Sequence, residues 1–77
     1  MNALVEKRVD ENIRTLRVKA KLTQEMLSAR LQVEGCDITR SALAKIEVGQ
    51  RHLYPDEIIL IAKILNVKYE EILDINK

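Results

Sequence analysis

The segment from Thr23 to Arg51 constrains this chain most, because it encodes two short helices joined by an irregular connection. In the second helix, residues 40–47, Leu43 and Ile46 form an apolar side. Residues spaced by one, four and five positions share a different face of such a helix. That face carries polar and small side chains: Arg40, Ser41, Ala44 and Lys45. These side chains have no core to fill, and they suit close contact with a polar, anionic surface.

The length of 77 residues predicts a single domain, residues 1–77, with a modest core. Leu, Ile, Val and Ala supply most of its apolar residues, and Phe and Trp are absent, which favours helices packed by aliphatic side chains. The single cysteine, Cys36, cannot form an internal disulfide and fits a reducing compartment. The apolar run 58–65 has eight residues and contains Lys63, too short for a membrane span. We therefore expect a soluble, cytoplasmic protein.

The net charge of +1 is small, but the charges are unevenly distributed. Residues 14–53 contain eight basic and four acidic side chains, a balance of +4. The balance is −1 over residues 1–13 and −2 over residues 54–77. Positive charge is therefore concentrated around the two short helices, as expected for a surface that binds nucleic acid.

Hydrophobic periodicity predicts an all-α fold with five helices, at about residues 4–20, 24–33, 40–47, 55–65 and 69–74. The first helix has one apolar stripe that we expect in the core: Val5, Val9, Ile13, Leu16 and Ala20. The fourth helix is apolar nearly all round, which predicts a position central to the core or shared with a partner.

Residues that favour helix ends support these boundaries. Thr23 is a good N-cap for the second helix, and either Asp37 or Thr39 can cap the third. Gly49 suits the end of the third helix, Pro55 the first position of the fourth, and Asn66 a left-handed cap.

Taken in order, these segments resemble the lambda-repressor-like, Cro-type helix-turn-helix family, also called the xenobiotic-response-element family. The resemblance covers roughly residues 9–73, with the helix-turn-helix unit at about 23–48. It rests on these residues: Leu22-Thr23-Gln24, Leu31, Ile38 to Glu47, Gly49, Arg51, Ile58 to Val67, and Tyr69 to Leu73. Two features depart from the family. Lys21 stands where glycine is usual, and residues 33–37 read as an insertion of about five residues.

The resemblance implies a function and a set of site residues. The third helix is expected to enter the major groove of double-stranded DNA while the second crosses the backbone. The residues that match DNA-contacting positions are Gln24, Thr39, Arg40, Ser41, Ala44, Lys45 and Arg51. Arg40 is the best candidate for reading a base, because a guanidinium can pair bidentately with guanine. Arg17 and Glu47 match the positions of a structural ion pair between the first and third helices.

The sequence offers little for catalysis or cofactor binding. Cys36 and His52 lie in different predicted loops with no third group to position them, and the two glycines do not form a phosphate-binding loop. Ligands for a metal site are too few. We therefore predict no enzyme activity, no catalytic residue, no metal, no cofactor and no small-molecule ligand.

The resulting hypothesis is a sequence-specific DNA-binding transcriptional regulator, which we expect to be a repressor. Because one recognition helix reads only a few base pairs, we expect a homodimer on a palindromic operator. Three regions are candidates for the dimer surface: the fourth helix, the fifth helix and the N-terminal extension. The alternative is a protein-interaction module of the same fold, such as an antitoxin or an anti-repressor partner, which the surplus of apolar residues in the last two helices supports.

Overall fold

A computed structural model describes residues 3–76, in which the chain forms five α-helices and no strand. Their bounds are α1 Ala3–Lys19, α2 Gln24–Val33, α3 Arg40–Glu47, α4 Pro55–Leu65 and α5 Tyr69–Leu73. The predicted all-α, five-helix fold is confirmed. Within the same range, no helix combines the length and apolar character needed to cross a bilayer.

The core is built from aliphatic side chains that all the helices contribute. Helix α1 packs on α3 and α5, α2 packs on α3 and α4, and α5 also contacts α4. Val9, Ile13 and Leu16 of α1 are buried as predicted. The two ends of the expected stripe are different, because Val5 is only half-buried and Ala20 is exposed. Ala20 follows the last residue of α1, where the chain turns towards α2, so its side chain no longer follows the buried face.

The two helices of the helix-turn-helix unit cross through buried leucine and isoleucine side chains. Helices α2 and α3 pack on each other, and Leu27 and Leu31 of α2 are fully buried, as are Leu43 and Ile46 of α3. At the same crossing the buried Ser28 hydroxyl donates a hydrogen bond of 2.8 Å to the carbonyl oxygen of Ile38. The connection between α2 and α3 is therefore anchored to α2, although it spans six residues, 34–39.

Four helices end in the same way, with a residue in the left-handed region of backbone space. The residues are Lys21, Gly35, Gly49 and Asn66, with φ values of 61°, 84°, 78° and 57°. After each, the next amide donates to a carbonyl five residues back, as in the bond of 2.8 Å from Gln50 to Lys45. This is the Schellman geometry, which satisfies carbonyls at the end of a helix. Gly35 explains how the 33–37 segment is accommodated: it ends α2 with a standard turn.

A buried amide attaches the last helix to the first. The Asn12 side chain of α1 donates bonds of 2.9 Å and 2.7 Å to the carbonyl oxygens of Ile72 and Asp74. These carbonyls lie at the end of α5, where a helix has no intrahelical donor for them. Helix α5 has only five residues, too few to be stable alone. Its position therefore depends on Asn12 and on the fully buried Ile72.

The left-handed conformation of Lys21 leads to a stability prediction. The left-handed conformation costs a residue with a Cβ roughly 1–2 kcal/mol of conformational free energy. For glycine this cost is small, but glycine loses more entropy on folding. We expect Lys21→Gly to raise the free energy of unfolding by about 0.5–1 kcal/mol in urea titrations. Lys21→Ala, which removes the charge but keeps the Cβ, is the control and should give no increase. Equal effects of the two substitutions would contradict a conformational origin.

Candidate nucleic-acid interface

Helix α3 presents its polar face to solvent because its other face is held in the core. Leu43, Ile46 and Glu47 are buried beneath the helix. Side chains at the positions singled out from the sequence lie on the opposite side: Thr39, Arg40, Ser41 and Lys45 are exposed, and Ala44 is half-buried. The structure thus brings these five together on one surface of α3 and its N-cap.

The start of α3 is fixed by a side-chain cap. The Thr39 Oγ1 atom accepts a hydrogen bond of 3.1 Å from the Ala42 amide, just as Thr23 Oγ1 accepts one of 3.0 Å from the Met26 amide at the start of α2. Either Asp37 or Thr39 could cap α3 on the sequence, and the structure uses Thr39. A capping hydroxyl accepts with its oxygen and still has its own hydrogen to donate. Thr39 can therefore cap α3 and donate to a phosphate at the same time.

The amino ends of α2 and α3 border one shallow depression. Its lining consists of Arg17, Thr23, Gln24, Glu25 and Arg40. Helix amino ends carry unpaired amide groups and a partial positive charge, which favour an anionic group such as phosphate. The depression therefore combines two helix ends with the exposed guanidinium of Arg40, and Glu25 is the acidic side chain that opposes them.

Glu47 joins three parts of the fold beneath this surface. The Arg17 Nε atom donates to Glu47 Oε2 at 2.7 Å, and Arg17 Nη2 donates to Glu47 Oε1 at 3.0 Å. A third bond, of 2.8 Å, runs from Arg17 Nη1 to the carbonyl oxygen of Leu22. Gln24 Nε2 donates to Glu47 Oε1 at 3.1 Å. The side chains of Arg17 and Glu47 are only 10% and 1% exposed. This network ties α1, the α1–α2 turn and the start of α2 to the end of α3.

The family comparison agrees with this architecture. The helix-turn-helix family model matches residues 13–72, which is more than half of the chain. No curated protein and no solved structure matches this sequence significantly. The chain belongs to the Cro-type, xenobiotic-response-element helix-turn-helix family. At the level of this family, its function is DNA binding in transcriptional regulation, and such regulators are generally not enzymes.

Basic side chains surround the helix-turn-helix unit. Six of the eight basic residues between positions 14 and 53 are exposed: Arg14, Lys19, Lys21, Arg30, Arg40 and Lys45. Arg40 and Lys45 form no ion pair with another residue of the described range 3–76. Their charges are therefore available to an external anion. The other two basic residues in that segment, Arg17 and Arg51, are engaged within the fold.

Arg51, which the sequence matches to a DNA-contacting position, is hydrogen-bonded within the fold. Its Nη1 and Nη2 atoms donate to the two carboxylate oxygens of Glu57 at 3.1 Å and 3.0 Å, and Nη1 also donates to the His52 carbonyl oxygen at 2.9 Å. Glu57 Oε1 in addition accepts from the Tyr54 amide at the start of α4. The pKa of Glu57 is lowered, because these hydrogen bonds outweigh the opposite effect of burial. Arg51 thus holds the loop between α3 and α4.

Gln24 is also engaged within the domain, through its amide bond to Glu47. It still lines the depression beside Arg40, so one side chain can both contact the ion pair and face a ligand. The sequence pattern did not predict this bond, nor the Asn12 bonds to the end of α5. A signal existed for Asn12, since it lies beside the apolar positions Val9 and Ile13 on α1 and is a polar residue next to a buried stripe.

A buried carboxylate lies behind the end of α3. Asp10 of α1 is only 6% exposed, and its Oδ2 atom is 3.6 Å from the position that a Cβ would take at Gly49. The pKa of Asp10 is raised to about 6, mainly by burial and in addition by the nearby Glu6 carboxylate, while His52 opposes the rise. Glu6 and His52 are themselves in contact, with 2.9 Å between Oε1 and Nδ1. The electrostatics at this end of the fold therefore change in mildly acidic solution.

We predict that removing the Glu47 carboxylate destabilises the domain far more than removing an exposed charge on the same helix. Glu47→Ala leaves the buried guanidinium of Arg17 without its counter-charge, which typically costs about 3–5 kcal/mol. Lys45→Ala is the matched control, and its effect should stay below about 0.5 kcal/mol. Thermal and urea unfolding followed by circular dichroism measure both. Similar unfolding midpoints for the two variants would show that the pair contributes little.

We also predict that Asp10 makes stability depend on pH. The pKa of Asp10 is near 6 in the folded chain and near 3.8 in the unfolded chain, so the folded state holds the proton more tightly. Proton binding by Asp10 therefore stabilises the folded state. This stabilisation is fully present below about pH 4 and is lost as the pH rises through 6. As the pH rises from 4 to 7, the free energy of unfolding of Asp10→Asn should therefore increase relative to that of the wild type, by on the order of 1 kcal/mol.

The control for this experiment is Glu11→Gln, which neutralises an exposed carboxylate next to Asp10 in sequence. Its stability difference from the wild type should stay nearly constant over the same pH range. A constant difference for Asp10→Asn as well would mean that the folded pKa of Asp10 is not raised.

Proposed function

We propose that this protein is a transcriptional repressor that binds a palindromic operator as a homodimer in the cytoplasm. In this proposal residues 1–77 act as one domain, with the helix-turn-helix unit at about 23–48, and α3 enters the major groove. The observation that supports it most directly is the division of α3 into two faces. Leu43, Ile46 and Glu47 hold the helix from behind, while Arg40 and Lys45 extend into solvent without an ion pair to the rest of the described chain.

Individual roles follow from side-chain chemistry. Arg40 reads a base, preferably guanine through O6 and N7, because it lies in the first turn of α3, where helix-turn-helix recognition helices touch base edges. Ser41 contributes a hydroxyl, and Ala44 contacts a thymine methyl. Lys45 provides a cation for a nearby phosphate. Gln24 and Thr39 donate to the backbone of the duplex beside Arg40.

We propose a different role for Arg51. Because its guanidinium is paired with Glu57, it orients the loop that follows α3 instead of supplying a free charge. This loop comes directly after the recognition helix, so its shape affects how close the duplex can approach.

Two variants separate base reading from phosphate contact. Selection from a pool of random duplexes should recover two half-sites roughly one helical turn, or a multiple of it, apart for the wild type. Arg40→Ala should lose about 10- to 100-fold in affinity and relax the preference at one base pair per half-site. Lys45→Ala should instead weaken binding to all duplexes and lower the salt dependence by about one ion per subunit. Fluorescence anisotropy at two or more salt concentrations measures both effects.

The matched control is Lys7→Ala, which removes an exposed charge from α1 outside the helix-turn-helix unit. It should change neither the selected sequence nor the salt dependence. The rival function is a protein-interaction module, which the exposed apolar side chains of α4 and α5 support. An absence of binding to any duplex at low salt, with the fold intact, would reject the repressor in favour of this rival.

A further inference from the structure

An apolar groove of about 510 Å³ lies between α4 and α5, on residues other than those that line the depression by Arg40. The buried side chains of Leu53 and Ile58 contribute to its lining. Around them stand large side chains that remain partly exposed: Tyr54, Ile59, Tyr69 and Leu73. Sites for small molecules typically enclose roughly 300–1,000 Å³ between apolar and aromatic walls that carry few polar groups. The groove has both the size and the walls of such a site.

Both tyrosines of the chain line this groove, and the sequence has neither Phe nor Trp. Tyr54 is the N-cap of α4 and Tyr69 is the first residue of α5. Because α4 packs on α5, two rings that begin different helices reach one groove. The face of an aromatic ring is electron-rich and attracts cations, quaternary ammonium groups in particular. The walls therefore suit a ligand that is both apolar and positively charged.

A carboxylate lies at the edge of the groove. Among the lining residues in the described part of the chain, Glu6 of α1 is the only acidic one and His52 the only basic one. The Glu6 Oε1 atom is 2.9 Å from the His52 Nδ1 atom, and His52 carries a charge only when it is protonated. The charge on the groove wall is therefore negative whenever His52 is neutral.

The helix ends beside the groove do not reverse this preference. Helix amino ends ordinarily favour anions. Here the first-turn carboxylates already occupy them: Glu57 Oε1 accepts from the Tyr54 amide at 3.0 Å, and Glu71 Oε2 accepts from the Lys68 amide at 2.9 Å. Residues 54–76 as a whole contain five acidic and two basic side chains. The field around the groove therefore favours a cation over an anion.

We propose that this groove binds a small hydrophobic organic cation. The apolar body of the ligand packs on Ile58 and Ile59, and its charge lies against the tyrosine rings on the side of Glu6. The proposal goes beyond the proposed function and does not depend on DNA binding. The sequence predicted no small-molecule ligand, and this groove is assembled from residue 6 and the separate segments 52–59 and 69–73, which no single helical periodicity joins.

Two other apolar depressions lack this combination of features. One, around the exposed Leu4, has Lys7 and Arg8 in its lining. The other, around the exposed Val33 near the end of α2, has Arg30 in its lining. Neither is lined by a tyrosine, and a basic side chain in the wall disfavours a second cation. A hydrophobic cation should therefore prefer the groove between α4 and α5.

The test compares tetraphenylphosphonium, a compact hydrophobic cation, with tetraphenylborate, an anion of nearly the same size and shape. Titration calorimetry of the full chain without DNA, in mildly alkaline solution, should show saturable binding of one phosphonium ion per chain. The borate should bind more weakly, by about 10-fold or more, because the field of the groove opposes it. In amide NMR spectra the phosphonium should shift residues 52–59 and 69–73 far more than residues 29–34.

Two variants separate the carboxylate from the rings. Glu6→Gln keeps the size and the hydrogen-bonding oxygen but removes the charge, so it should weaken phosphonium binding by about 3- to 10-fold. Tyr69→Leu keeps an apolar side chain but removes the ring face, and it should weaken binding by about 2- to 5-fold. Glu11→Gln, which neutralises an exposed carboxylate of α1 outside the groove, is the matched control and should bind like the wild type. Thermal unfolding verifies that each variant is folded.

Several results would overturn the proposal. A groove covered by a second copy of this chain, or reserved for another protein, would give no saturable phosphonium binding. Equal or tighter binding of the borate would refute the charge preference, and shifts confined to residues 29–34 would place the cation elsewhere. Unchanged affinity in folded Glu6→Gln and Tyr69→Leu would do the same. The proposed function is judged separately, by duplex titrations without phosphonium, so either proposal can fail while the other stands.

Discussion

The contact between Arg17 and Glu47 is the constraint on which the placement of α3 depends. Two buried, opposite charges meet through two hydrogen bonds; Arg17 also donates to the Leu22 carbonyl oxygen, and Glu47 also accepts from Gln24. Isolated buried charges are costly, so this geometry penalises any arrangement in which α1 and α3 separate. The interaction is directional, whereas the aliphatic contacts around it are not. It can therefore orient α3 relative to α2 where leucine and isoleucine packing alone permits small rotations.

The fold separates two surfaces of different chemistry. One, around the amino ends of α2 and α3, combines exposed cations with helix ends and suits a polyanion. The other, between α4 and α5, is apolar and belongs to the acidic end of the chain. The Arg51–Glu57 pair joins the loop after α3, which follows the first surface, to the start of α4, which belongs to the second. The 77 residues accommodate both surfaces because each uses a different face of the same small core.

Helix ends illustrate how far local sequence rules extend. Gly49 and Asn66 were predictable as left-handed ends, and Lys21 adopts the same geometry although it lacks the freedom of glycine. Lys21 adopts this geometry because the next residue, Leu22, is buried and the Leu22 carbonyl oxygen accepts a hydrogen bond from Arg17. The surrounding contacts therefore determine the turn. Likewise, the extra residues at 33–37 look irregular in sequence but end α2 through Gly35 and return Ile38 to the core. Their accommodation depends on that buried side chain and on Ser28.

The sequence by itself determined the helices, the apolar faces that bury Leu27, Leu31, Leu43 and Ile46, and the polar face of α3, because each follows from periodicity within a few turns of one helix. Tertiary structure alone decided which charges remain available. The sequence pattern gives Arg51 and Arg40 the same predicted role. In the fold, however, Arg51 is paired with the carboxylate of Glu57, whereas Arg40 faces solvent. The same holds for the Asn12 bonds to α5, the burial of Asp10 behind Gly49 and the groove between α4 and α5. These features arise where distant segments meet, and periodicity along a single helix carries no information about such meetings.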